Sequence, residues 1–322
     1  MRLLPDSPPS AVKGPDTDRA GAPGTSPAGP AEAREASGDG PPKSRPRLRP
    51  GFRWPAAVRP GPAVAVLWLL IVVTAALAPE LFTSRDPLAV DTPDRLLGPS
   101  AEHLLGTDQL GRDLFTRLVH GTGASLLAAL IATVIGLTAG TVLGLLAGFL
   151  RGGADMVIMR IVDMLLSIPG LLLSLVLIVA LGPGIRNAAI AVGLTSIATC
   201  TRIMRAEVLK VRESLYVEAA HSGGARWPRV LARHVLPNTL GPVWALAALE
   251  FGTAILAVSA LSFLGYGVQP PTPEWGALVS EGRDSLRVAW WLTTFPGLAV
   301  AATVVASNRV ARALDNDPRA AR

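Results

Sequence analysis

A single cysteine, Cys200, serves 322 residues, which excludes an internal disulfide and any cysteine-built metal cluster. It lies in an apolar stretch, where a small buried hydrophobe is the expected role. Lysine is almost as scarce. Lys13, Lys43 and Lys210 are the only three and none follows a glycine, so the Gly-Lys-Ser/Thr end of a phosphate-cradling loop is missing. The four histidines, His103, His120, His221 and His234, share no ligand spacing, and no Ser-His-Asp arrangement or paired catalytic carboxylates stand out. No catalytic residue, metal site or cofactor is therefore expected, and any nucleotide hydrolysis has to come from other chains. Charge is the third shortage. Only 17% of residues are charged and half are hydrophobic, against about a quarter charged in a soluble domain. Aromatics are few as well, and no basic module interleaved with them is present. The net charge of +6 therefore does not point to nucleic acid; in a membrane protein, basic residues gather in cytoplasmic loops.

What the chain does have is apolar length. Residues 1 to about 60 are rich in Pro, Gly, Ala and Ser without apolar periodicity, a composition that stays disordered. This tail has no signal-peptide core near its start. Its six acidic residues end at Asp39, and Lys43, Arg45, Arg47, Arg49, Arg53 and Arg59 follow without an acid among them. Two readings of that basic run stay open: a positive-inside flank and a clamp on anionic lipid. Six spans are expected beyond it. They run from about Pro62 to Phe82, Gly123 to Leu150, Met156 to Leu181, Gly184 to Met204, Asn238 to Leu264, and Val288 to Ser307. The fourth is weakest, because its uncharged run from Asn187 to Thr201 is shorter than the about 20 residues a spanning helix needs. Tilt, flanking arginines or burial inside a bundle would each accommodate it.

With the amino terminus inside, 23 of the 30 lysines and arginines fall on cytoplasmic segments and 7 outside. That excess places both termini and the segment 205–237 in the cytoplasm, with outer loops at 83–122 and 265–287. Gly136, Gly140, Gly144 and Gly148 form a ridge at four-residue spacing on the second span, a surface for close helix packing.

The most telling stretch is Tyr216 to Asn238, YVEAAHSGGARWPRVLARHVLPN. Glu218, Ala219 and Ala220 favour a helix, and Gly223-Gly224 ends it. Pro228 suits the first turn of a second short helix, and Pro237 marks the bend into the fifth span. A charged loop with small residues at its tip is a shape for docking a soluble partner, although an ordinary interfacial helix pair fits the spacing too. This stretch resembles the EAA-x3-G-x10-ILP loop of ABC importer permeases, with Glu218, Ala219, Ala220, Gly224, Leu236 and Pro237 in the matching places. Further stretches are similar to the dipeptide/oligopeptide/nickel branch of that family: Gly106 to Asp113, Leu261 to Gly265 leading into Gly267 to Gly276, Gly282 to Asp284, Phe295 to Gly297, and a closing Leu314-Asp315 with Asp317-Pro318-Arg319. The resemblance covers roughly 60 to 319.

The resemblance implies an all-α integral membrane permease of the type I ABC importer kind with a disordered amino-terminal tail. Its job would be dipeptide or oligopeptide import, with ATP handled elsewhere. Implied partners are a paralogous permease subunit, two cytoplasmic ABC ATPases, an extracytoplasmic solute-binding protein, the peptide and membrane lipid, in the cell membrane of a prokaryote. Import of nickel complexes, glutathione or another small solute is the alternative within the family; a passive channel or membrane scaffold is the alternative outside it. Two positions depart from the family pattern. Gly223 replaces a commonly apolar residue, and Val258 stands where that branch often carries glutamate.

Glu250 lies eight residues before Val258, about 12 Å along a helix. A carboxylate at membrane depth faces a bundle interior or water. Glu250 is expected either to line the translocation path and attract a peptide amino group or to bond a neighbouring helix. Asp163 lies three residues after Arg160, and a structural i,i+3 pair is expected there.

Overall fold

The computed structural model describes residues 60–150, 152–214 and 236–315, with no β-strand among them and a single antiparallel bridge between Thr107 and Asp113. Eight α-helices carry the described chain: α1 (Pro60–Leu77), α2 (Leu114–Leu150), α3 (Gly152–Leu166), α4 (Gly170–Leu181), α5 (Ile185–Arg212), α6 (Leu236–Phe263), α7 (Trp275–Gly282) and α8 (Trp291–Asp315). Apolar runs fold this way because a helix satisfies every internal backbone group without water. The helices α2, α5 and the Pro242–Phe263 part of α6 are long and apolar enough to cross a membrane, and α3 with α4 makes a fourth if the bent pair is one span. Helix α1 is shorter and stops at Leu77, where Pro79 starts a 3-10 turn, Pro79–Leu81. Helix α8 is long but carries Asn308, Arg309 and Arg312 in its last turns.

The third expected span is not one helix. The axes of α3 and α4 meet at 91° across Ser167–Pro169. Pro169 has no amide to donate to Leu165, and a residue before proline is driven out of the helical region. Ser167 and Ile168 therefore close α3, donating to Asp163 and Leu165 at 3.1 and 3.3 Å. The second span is also longer than expected, since α2 begins at Leu114 and takes the end of the segment 83–122, read from sequence as an outer loop, into the helix. The weak fourth span is accommodated by burial: half of the most apolar stretch of α5 is packed inside the bundle.

The glycine ridge explains that burial. Each of its members lies against one residue of α5 at the same four-residue spacing: Gly136 on Ser196, Gly140 on Cys200, Gly144 on Met204 and Gly148 on Val208. A methyl group added at Gly136, Gly144 or Gly148 would sit 2.6–2.9 Å from the facing Cβ. Gly193 of α5 returns the contact against Ala132 and Ile135. Small residues let the two backbones approach, and dispersion then holds them. Cys200 is buried here as a small hydrophobe beside Met204 and Leu246.

The segments flanking α2 and α7 fold onto one another. The loop 265–287, read from sequence as an outer loop, holds the short helix α7 and a 3-10 turn, Arg283–Ser285. Glu274, fully buried, caps α7 by accepting the Ala277 amide at 3.0 Å with one oxygen and the Ser125 hydroxyl of α2 at 2.8 Å with the other. Trp275 donates its ring N–H to the Leu118 carbonyl of α2 at 3.2 Å. From the other loop, Asp108 accepts Arg112 Nε at 2.7 Å and Arg117 Nη1 at 2.8 Å, and Gln109 donates to the Glu281 carbonyl at 2.7 Å. Gly111 sits at φ +74° against the Asp91 carbonyl, where a Cβ has no room.

Candidate functional site

Three structural features converge on one place. The break between α3 and α4, the middle of α5 and the middle of α6 enclose a cleft of about 400 Å³. One wall is apolar, formed by Leu165, Leu166, Ile168 and Pro169 around the break. The opposite walls carry Thr195, Ser196 and Thr199 of α5 with Glu250 and Thr253 of α6, and Ser174 comes from α4. None of the lining residues is basic.

Glu250 is 6% exposed. The Ser196 and Thr253 hydroxyls lie near its carboxylate and line the same cleft. Thr253 also donates to the Glu250 carbonyl at 2.9 Å, Thr195 to the Val192 carbonyl at 2.8 Å and Ser174 to the Gly170 carbonyl at 2.9 Å. A hydroxyl that donates to its own helix keeps its oxygen lone pairs for another donor. Val258, the departure from the family pattern, is buried in the main apolar core with Ala254, Ile255 and Leu261 and does not line the cleft.

The coupling residues expected from sequence fall in two groups. Glu218, Ala219, Ala220 and Gly224, with Gly223, lie outside the described residues. Leu236 and Pro237 are the first two residues of α6, so the proline sits in a helical first turn. The segment carrying this group begins where α5 ends at Arg212 and finishes where α6 begins. Residues 205–212, counted from sequence as loop, belong to α5.

The end of α5 is tied to its neighbours by charge. Arg205 donates from Nε and Nη2 to the two carboxylate oxygens of Asp155 in α3, both at 2.6 Å. Arg202 pairs with Asp163, also in α3. That corrects the expected Arg160–Asp163 pair: α5 packs alongside α3, and an arginine 39 positions away in sequence reaches the carboxylate. The Arg212 guanidinium stacks 5.7 Å over the Phe149 ring of α2.

Sequence reasoning found Glu250 but missed the hydroxyls around it. Thr195 and Thr199 stand four residues apart in an otherwise apolar stretch, which places them on one helix face. That spacing was the available signal. It also missed Asp155, Arg202 and Arg205 as a set, because their pairing depends on which helices are neighbours. The motif Gly106–Asp113 turns out to be a folded turn whose Asp108 holds two arginines.

Comparison with known proteins matches residues 140–320 to the family described as binding-protein-dependent transport system inner membrane component. The chain is 42% identical over 245 residues to the probable D,D-dipeptide transport system permease protein of Escherichia coli (strain K12), covering 76% of this chain and 82% of that one. It is 39% identical over 261 residues to the dipeptide transport system permease protein of Alkalihalophilus pseudofirmus, covering 80% and 86%. It is 38% identical over 257 residues to the glutathione transport system permease protein of Pectobacterium atrosepticum, covering 79% and 85%.

Proposed function

The chain belongs to the binding-protein-dependent transport system inner membrane components, and on that premise we propose that it is one of two permease subunits of an ABC importer for dipeptides or oligopeptides. It crosses the membrane six times with both termini in the cytoplasm and walls half of the path, with Glu250 on the path's surface. A paralogous permease completes the path, two ABC ATPases hydrolyse ATP, and a solute-binding protein delivers the peptide to the outer loops.

One observation carries the coupling part of this reading. The two helices that flank the segment holding Glu218, Ala219, Ala220 and Gly224 are α5 and α6, and both of them wall the Glu250 cleft. Displacement of that segment by a closing ATPase pair moves the cleft walls directly, as a rigid-body motion. The test is uptake of a labelled dipeptide by the assembled transporter carrying Glu218→Arg or Gly224→Trp. Uptake is abolished while the subunit still inserts; normal uptake rejects the coupling role. Disabling the partner ATPase separates this reading from a passive channel, which would keep conducting.

A glutathione importer is the second reading, favoured by the glutathione permease relative. Competition of unlabelled glutathione against the labelled dipeptide distinguishes the two.

A further inference from the structure

The geometry points to the Glu250 cleft as a subsite for one primary ammonium group, the free amino end of a peptide, held by the Glu250 carboxylate and the hydroxyls of Ser196 and Thr253. This subsite rests on the importer reading for how the ligand arrives; its chemistry follows from the cleft itself.

An ammonium group has three donors and no acceptor. The cleft answers with acceptors: one carboxylate, the Ser196 and Thr253 oxygens near it, the Thr199 hydroxyl, and further along the walls the Ser174 and Thr195 hydroxyls, which lie 3.2 Å from each other. Among the described residues lining the cleft, Glu250 alone is ionisable. No arginine, lysine or histidine in the lining pairs with it, so no fixed cation competes with an entering ammonium for this acid. A carboxylate placed midway along a membrane helix and 6% exposed is an expensive feature. An ammonium offsets that expense each time the site fills, because charge-assisted hydrogen bonds strengthen where water is scarce.

The same inventory sets the selectivity. No cation in the lining complements a peptide's carboxylate and the Glu250 acid disfavours it, so the cleft distinguishes the amino end from the carboxyl end. Its volume of about 400 Å³ lies within the roughly 300–1,000 Å³ of small-ligand sites and accommodates a terminal residue with its amide. A hard divalent cation is a poor fit, since calcium takes about 6–8 oxygens, several of them carboxylate. The apolar wall of Leu165, Leu166 and Ile168 at the helix break faces the first side chain without reading it by hydrogen bonds.

The experiment compares uptake of alanyl-alanine and N-acetyl-alanyl-alanine by the complete transporter in vesicles, with wild-type chain, Glu250→Gln and Glu250→Asp. The binding protein is the same in all three assemblies, so a change in the ratio of the two uptakes belongs to this chain. Wild type favours the free peptide by about tenfold or more, the gain expected of a charge-assisted bond over a neutral one; the ratio falls severalfold in Glu250→Gln and is partly restored in Glu250→Asp. An unchanged ratio in Glu250→Gln overturns the subsite.

A second arm keeps Glu250 in place. In Thr199→Cys, a cationic aminoethyl methanethiosulfonate reacts about tenfold faster than its sulfonate counterpart, and alanyl-alanine slows the reaction whereas the acetylated peptide does not. Equal rates for the two reagents, or equal effects of the two peptides, overturn the subsite as well. Failure of wild type to import either peptide overturns the peptide-importer reading, and the thiol rates then decide the ammonium site by themselves.

Discussion

Arg117 in α2 donates from Nη1 to Oε2 of Glu281 in α7 at 2.7 Å and from Nη2 to Oε1 at 3.2 Å, joining residues 164 positions apart in a two-pronged pair. The Arg117 side chain is 1% exposed and its Nη1 also serves Asp108 at 2.8 Å. Arg112 completes the group, bonding Asp108 and reaching Glu281 at 3.4 Å. The two loops that flank α2 and α7 are thus fastened by two arginines and two carboxylates whose members share partners.

Removing one member leaves three buried or half-buried charges that no longer balance, which costs up to about 3–5 kcal/mol. Arg117→Met and Asp108→Ala are each expected to lower the thermal unfolding midpoint of the purified subunit by several degrees. Arg117→Lys fails to restore it, because an ammonium cannot reproduce the fork. A wild-type midpoint for Arg117→Lys would show that charge alone holds the loops.

The ridge on α2 supplies a second test. A Cβ at residue 140 would meet the Cβ of Cys200 and lie 3.1 Å from the Ile197 carbonyl and Thr201 amide. Gly140→Ala is expected to destabilise by about 1–3 kcal/mol through overpacking. Adding Cys200→Gly removes the facing Cβ and recovers part of that loss, whereas Cys200→Gly paired with a distant change does not. Additive losses in the double variant, read from unfolding midpoints, would mean the two positions are not opposed.

The ridge was legible in the sequence because four glycines at a fixed spacing define one helix face whatever the neighbour is. Glu250 was legible for a similar local reason: a lone carboxylate within an apolar run stands out. The break at Pro169 was hidden by continuous hydrophobicity on both sides of it, although the Ile168–Pro169 step carried the signal. Helix α7 was hidden by its eight-residue length and by the prolines before it. The Asp163 pair was misassigned because sequence offers only the nearest arginine, while the fold brings up Arg202 of α5. The cleft is a product of three helices meeting, and no stretch of sequence contains it.

The ties between α3 and α5 lead to the last prediction. Arg205 grips both oxygens of Asp155, and Arg202 pairs with Asp163, so α3 is fastened to the end of α5 at two points along its length. Helix α5 runs directly into the segment that carries Glu218. Helix α4 lies beyond the 91° bend and holds no part of these pairs. Displacement of α5 is expected to carry α3 with it and to strain the break at Ser167–Pro169, whose Ile168 and Pro169 belong to the apolar wall of the cleft. The pairs are part-exposed, so each is worth about 1 kcal/mol to stability, and Asp155→Arg or Arg205→Asp alone leaves the subunit folded and assembled. Uptake falls about fivefold in either single variant, the factor matching about 1 kcal/mol of lost coupling. Combining Asp155→Arg with Arg205→Asp restores the pair in reverse and recovers most of the uptake, with the rate of ATP hydrolysis per peptide imported returning toward wild type. If the reversed pair transports no better than the single variants, α3 moves independently of α5 and the bend does not relay the motion.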